Sequence, residues 1–143
     1  MAFAAADNKA SLIPLDTNGE ETGETISVQY NPSTYSTTWN IVWSPIETGS
    51  TTVQHTGTNA GNLVLTLNFD SYEKRQDVTN LSGKIREQLD PSQSSNQSVG
   101  VRFHWGKNVF DGLVKSIKED FTLFLSDGTP VRSVVTLTLM PWP

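Results

Sequence analysis

Cysteine is absent from this 143-residue chain, which excludes a disulfide framework and any thiolate metal site and leaves core packing or association as the sources of stability. Long apolar runs are missing as well. Nothing approaches the roughly 20 residues of a membrane span, and Met1-Ala2-Phe3-Ala4-Ala5-Ala6-Asp7 has neither a basic leader nor an apolar segment long enough for a secretory signal. The sequence therefore points to a protein made and folded in the cytoplasm, with no direct membrane insertion. Basic residues number 10 against 15 acidic ones, giving a net charge of -5, and they form no stripe, so a nucleic-acid partner is not expected. The length fits a single domain over residues 1–143 with one hydrophobic core.

What the chain does contain is β-forming sequence. Leu12, Ile13 and Leu15 precede a polar stretch, Thr17 to Glu24, whose Asn18-Gly19 is a hairpin signal. From Thr25 to Tyr30 the apolar Ile26, Val28 and Tyr30 alternate with polar residues until Asn31-Pro32. In the next stretch, Ser36 to Ser44, Trp39, Ile41 and Trp43 fall on one face, read as inward. Asn62 to Tyr72 gives the clearest period of two, with Leu63, Leu65, Leu67 and Phe69 on one side. Val101, Phe103 and Trp105 alternate before a Gly106-Lys107-Asn108 turn, and the return from Val109 to Ile117 contains Gly112, the mark of a bulge or a close backbone approach. Phe121, Leu123 and Leu125 continue the alternation to Ser126-Asp127-Gly128-Thr129-Pro130. A final strand, Val131 to Met140, carries Val131, Val135, Leu137 and Leu139.

Two segments break this pattern. Val78, Leu81, Ile85 and Leu89 recur at helical spacing between Asp77, an expected N-cap, and Asp90-Pro91, which predicts one amphipathic helix with Lys84, Arg86 and Glu87 on its open face. Pro45 to Gly61 is rich in Thr, Gly and Asn, with Ile46 and Val53 its only large aliphatics, and reads as a long loop or an extended arm. The expected fold is mainly β, a barrel or sandwich of about eight strands with one flanking helix, and a core that includes Leu65, Leu67, Phe69, Phe103 and Leu137.

The residues give no catalytic site. His55 and His104 stand alone, whereas a metal needs several ligands and a triad needs a positioned nucleophile. Glu20-Glu21 and Glu119-Asp120 have no pocket to raise a carboxylate pKa, so they read as solvated turn residues, and the glycines form no phosphate-cradling loop. No enzyme, metal or cofactor is expected. Trp39, Trp43 and Trp105 sit on apolar strand faces and read as core, although tryptophans in such positions can also form a sugar-stacking platform. Trp142, between two prolines, is expected to dock on a neighbour or to cover the domain's own rim.

Five segments in order carry a family likeness: Val28-Gln29-Tyr30-Asn31-Pro32-Ser33-Thr34-Tyr35; Leu63 to Tyr72; Asp77-Val78 leading into the helix; Val101-Arg102-Phe103-His104-Trp105-Gly106; and Phe121 to Arg132 with its Ser-Asp-Gly-Thr-Pro turn. Over residues 26–139 the chain resembles the tube-like domain of contractile injection system tube-junction proteins, relatives of phage tail-tube proteins. The resemblance implies a tail-tube-like barrel that assembles as a homohexameric ring between the inner tube and the spike-bearing baseplate. Its partners would be identical copies, the inner-tube protein, and spike and baseplate proteins. Many members continue into a LysM module, which the sequence ending at Pro143 is expected to lack.

Ring assembly also follows from the residues, because unpaired β edges are an aggregation risk unless identical neighbours cover them. The arm is expected to reach such a neighbour, through Thr48, Thr51, Thr52, Val53 and His55, with Trp142 as a further intersubunit contact. The alternatives are the bulk inner-tube protein of the same particle and a carbohydrate-binding β module.

Overall fold

The computed structural model describes residues 9–46, 49, 52–94 and 98–143. The chain runs through β1 (Ser11–Leu15), β2 (Ile26–Ser27), β3 (Thr34–Pro45), β4 (Val53–Asp70), a 3-10 turn (Tyr72–Lys74), α1 (Thr79–Leu89), β5 (Gly100–Trp105), β6 (Asn108–Phe124) and β7 (Pro130–Pro141). All seven strands belong to one antiparallel sheet in the order β2-β1-β5-β6-β7-β4-β3. The fold is mainly β with one helix, as expected. It has one strand fewer than expected, since β6 runs unbroken through Lys118-Glu119-Asp120 to Phe124.

The sheet rolls around its core. Tyr35 on β3 and Phe103 on β5 have ring centroids 5.2 Å apart although their strands are four places apart in the sheet order. A flat sheet would hold them roughly 19 Å apart at ordinary strand spacing, so the two ends of the sheet curl toward each other. Gln29, just past β2, helps close the gap. Its amide nitrogen donates to the Asp70 carbonyl and its Oε1 accepts from the Asp70 amide, both at 2.8 Å, which imitates a strand pair at the end of β4. Leu63, Leu65, Leu67 and Phe69 of β4 face Leu12, Val101, Phe103, Leu137 and Leu139 in this interior, all buried.

The helix seals one side. Val78, Ser82, Ile85 and Leu89, spaced by four, three and four residues, form the buried seam, and Ser82 Oγ donates to Glu119 Oε2 at 2.6 Å. Lys84, Arg86 and Glu87 are exposed, as expected. Leu81 corrects the expected stripe. It stands about 100° round the helix from Ser82 and remains 41% exposed. Asp77 lies one residue before the helix's flanking residue, Val78, and its Oδ1 accepts from the Thr79 amide at 2.9 Å and the Thr79 hydroxyl at 2.7 Å.

Other expectations resolve locally. The opening hairpin forms, with Gly19 at φ 78° in its turn and Leu15 bridged to Glu21. Tyr30 is exposed, since β2 covers only Ile26 and Ser27 and the chain turns away before it. Gly112 marks a close approach: a Cβ there would stand 2.2 Å from the Met140 carbonyl oxygen on β7. Among the described residues no helix is long and apolar enough to cross a membrane.

Candidate assembly surface

Strand length builds the most distinctive surface of the molecule. An 18-residue strand such as β4 spans about 58 Å. A 143-residue globule has a radius of gyration near 15 Å, roughly 37 Å across, so β4 overshoots it. The pairing shows where. β7 accompanies β4 only from Leu63 to Asp70, whereas β3 accompanies it up to the Pro45–Val53 pair. Beyond Leu63 the β3–β4 hairpin is a two-stranded ribbon, closed by the Ile46 amide donating to the Thr52 carbonyl at 3.0 Å.

Of the two readings of Pro45 to Gly61, a long loop or an extended arm, the described residues give the arm, because residues 53–61 are regular strand on a β3 template. One expectation is corrected. Trp39 and Trp43 are not core residues but 66% and 59% exposed. Their face was legible and their burial was not. Tyr35, Trp39, Ile41 and Trp43 occupy alternate positions on β3, and both register shifts, at Thr37/Trp39 and Val42/Trp43, place the extra residue on β4, so β3 keeps its period. The row that begins with half-buried Tyr35 thus continues past the rim of the barrel, where no other strand lies beneath it.

On this face Trp43 meets His55 edge-on at 5.5 Å between ring centroids, and His55 Nε2 lies 2.8 Å from Thr58 Oγ1. Ile41, Trp43 and Val53 remain more than half exposed. Trp39, Ile41, Trp43 and Val53 together present on the order of 500 Å² to solvent, about the largest patch a monomer ordinarily shows. The ribbon is also a charge desert. From Thr34 to Phe69, Glu47 is the only acidic or basic residue, and every other one of the protein's 10 basic and 15 acidic residues lies outside that stretch. That gap, set beside the alternating Trp-Ile-Trp row, was the sequence signal for an exposed interface.

Of the residues expected at contacts, Val53 and His55 lie exposed on the apolar face of the ribbon and Thr52 at its closing turn. Thr48 and Thr51 lie outside the described residues. Trp142 sits elsewhere, half-buried on the barrel's own rim. Its amide donates to the Asp111 carbonyl at 3.0 Å, and its ring lies over the backbones of Gly19 and Gly100, where a Cβ would come within 3.4 and 2.6 Å of it. Trp105 is half-buried against the core, edge-on to Phe103 at 6.5 Å.

The titratable groups are committed elsewhere. Glu21 pairs with Arg102 at 3.1 Å, and Arg102 also grips Asp111 at 2.8 Å. A groove of about 530 Å³ beside the 3-10 turn holds Asp70 and Asp77, yet Asp70 is bound to Arg132 at 3.1 Å. The Thr79 hydroxyl and amide hold the Asp77 carboxyl below its ordinary pKa, the opposite of what a general acid needs. His104 is exposed on β5 between Ser11 and Val109, with no acidic neighbour in register. Among the described residues no group of three or more His, Asp or Glu could hold a metal ion.

Compared with models of protein families, residues 8–142 match the one described as contractile injection system tube protein. No curated protein matches the chain.

Proposed function

Since the chain belongs to the contractile injection system tube protein family, we propose that it is a structural, non-catalytic subunit that builds a homohexameric ring where the inner tube meets the baseplate. Its neighbours in that reading are identical copies around the ring, the inner-tube protein on one side, and spike and baseplate proteins on the other. The particle is assembled in the cytoplasm. The observation that carries the reading is the ribbon of residues 38–46 and 52–62, which holds no Asp, Glu, Lys or Arg and whose aromatic face and backbone edges are left without cover by the described residues. A surface of that kind marks an interaction site and invites a partner to cover it.

The junction role and the bulk-tube role share this surface and differ in copy number: one ring per particle against many stacked rings. The five-segment resemblance to tube-junction proteins favours the junction. Electron microscopy of purified particles carrying a small peptide tag at the β6–β7 turn, Ser126–Thr129, separates them. Label confined to one end of the tube supports the junction, and label along its whole length assigns the chain to the bulk tube.

One observation favours a different reading. Trp39 and Trp43 are exposed on one face, as in a sugar-stacking platform. Glycan-array binding that is lost in Trp39→Ala and Trp43→Ala, from a protein that forms no assembly, would establish the carbohydrate-binding alternative.

A further inference from the structure

The end of β4 farthest from the ribbon carries a second open surface. The groove of about 530 Å³ beside the 3-10 turn falls in the usual size range of ligand sites, roughly 300–1,000 Å³. Its rim is apolar. Tyr30, Tyr72 and Leu81 line it and each stays more than 40% exposed, Leu81 being the apolar residue that the helix leaves outside its buried seam. Two carboxylates face the same space without a cation. Glu73 makes no ion pair among the described residues. The Thr79 hydroxyl and amide hold Asp77 in its charged form through Oδ1, and its Oδ2 has no partner among the described residues. Asp70 is already bound to Arg132, which leaves Lys74 as the one base in the lining without an acid. Three acids against two bases give the groove a charge of -1. Arg75 shows which chemistry these rings accept. Its guanidinium lies over the Tyr72 ring at 5.5 Å from the centroid, and it is the only described non-glycine residue at positive φ, 50°, an uncommon backbone conformation placed between two lining residues. The Tyr30 ring holds no such cation among the described residues.

We propose that this groove docks an arginine-bearing segment of a particle protein other than this chain, its guanidinium taken by Tyr30, Glu73 and Asp77 and its apolar flank by Tyr72 and Leu81. The inference goes beyond the ring reading and does not depend on it, because the groove and the ribbon tip lie at opposite ends of β4. Arginine suits the site better than lysine. A planar guanidinium can bond a carboxylate through two N–H groups and stack on a tyrosine face at once, whereas an ammonium acts as a point charge. The net charge of -5 also draws a basic partner. A second copy of this chain cannot serve as well, since all four of its arginines are engaged: Arg75 on Tyr72, Arg86 with Asp90, Arg102 with Glu21 and Asp111, and Arg132 with Asp70. Its ribbon, with no basic residue, would bury Glu73 and Asp77 without compensation.

The test replaces Leu81 by the photoreactive p-benzoylphenylalanine, irradiates assembled particles and identifies the linked peptides by mass spectrometry. The expected product joins this chain to one segment of another particle protein. A synthetic copy of that segment should bind the purified full chain in fluorescence anisotropy, and more weakly at higher salt. Changing its arginine to citrulline should weaken binding about tenfold, as should Glu73→Lys or Tyr30→Ala in this chain. Both positions are exposed, and circular dichroism checks that each variant folds. Lys74→Glu, which removes the competing cation, should strengthen binding. Equal binding of the citrulline segment, or binding indifferent to Glu73→Lys, would overturn the proposal. So would a cross-link to another copy of this chain, or no cross-link from particles whose rings and tubes are normal. Oligosaccharide binding that is lost in Tyr30→Ala, with no segment cross-linked, would overturn it in favour of a sugar site. Micrographs of Glu73→Lys particles keep the two readings apart: intact rings are expected, and rings lost together with a copy-to-copy cross-link would make the groove a ring contact instead.

Discussion

Gly112 on β6 and Met140 on β7 approach so closely that a Cβ on the glycine would lie 2.2 Å from the Met140 carbonyl oxygen and 2.8 Å from the Phe110 ring. Backbone on one side and a core-packed ring on the other leave no flexible atom to yield. Gly112→Ala is expected to destabilise by about 3 kcal/mol, the upper part of the range for overpacking. Gly57→Ala is the control, since nothing lies within 4 Å of its Cβ position, and it should stay within about 0.5 kcal/mol of the parent. Urea midpoints of the two variants measure both.

Burial predicts a sharp division between two sets of large apolar residues. Leu65, Leu67, Phe103 and Leu137 are fully enclosed, and truncating any one to Ala should cost about 2–5 kcal/mol through lost transfer energy and the remaining cavity. Trp39→Ala and Trp43→Ala should change the stability of the isolated domain by less than about 1 kcal/mol, because both side chains are already mostly hydrated. Thermal unfolding distinguishes them: a large loss of stability on truncating either tryptophan would mean that the ribbon packs on the domain.

Much of this division is legible in the sequence. The period-two run of Leu63, Leu65, Leu67 and Phe69 and the helical spacing of Val78, Ile85 and Leu89 identify core faces that the fold confirms, because one side chain in two or in about 3.6 must turn inward. Trp39, Ile41 and Trp43 obey the same rule and yet stay wet. Periodicity reports which face a residue shares, and whether anything covers that face depends on where β7 stops pairing with β4, a non-local property. The sequence leaves the arm open between loop and extended strand for a related reason: Thr, Gly and Asn lower its apparent strand character, and the β3 template, paired along residues 53–60, makes it regular.

Acid should weaken the helix N-terminus. The Thr79 hydroxyl, and then its amide, lower the pKa of Asp77, so the charged form favours the folded state. Its contribution is therefore present above the ordinary carboxylate value of about 3.9 and is lost as the pH falls through the lowered folded value. Asp127 at the β6–β7 turn behaves alike, through the Thr129 amide and hydroxyl. Asp77→Asn, which keeps an acceptor but no charge, should be less stable than the parent at pH 7 and converge with it in strong acid. Melting temperatures recorded from pH 7 to about 2 test this. A gap between the two proteins that stays constant over the whole range would contradict the assignment.

Shortening the ribbon should separate folding from assembly. Val42 and Gly57 are paired across it, so replacing residues 43–56 with Asn-Gly closes the hairpin earlier with a two-residue turn. The shortened protein is expected to retain its β spectrum and a melting temperature close to that of the parent, since the buried core lies below Leu63. Loss of cooperative unfolding would show instead that the ribbon tip is part of the folding unit.

The central claim, that this chain works by building a ring through its ribbon, is tested most directly by imaging particles that contain only the shortened protein beside particles with the full chain. The account predicts sixfold rings carrying attached tubes with the full chain, and folded but unassembled subunits with tubes missing or detached for the shortened one. Intact rings and normally attached tubes from the shortened protein would contradict it.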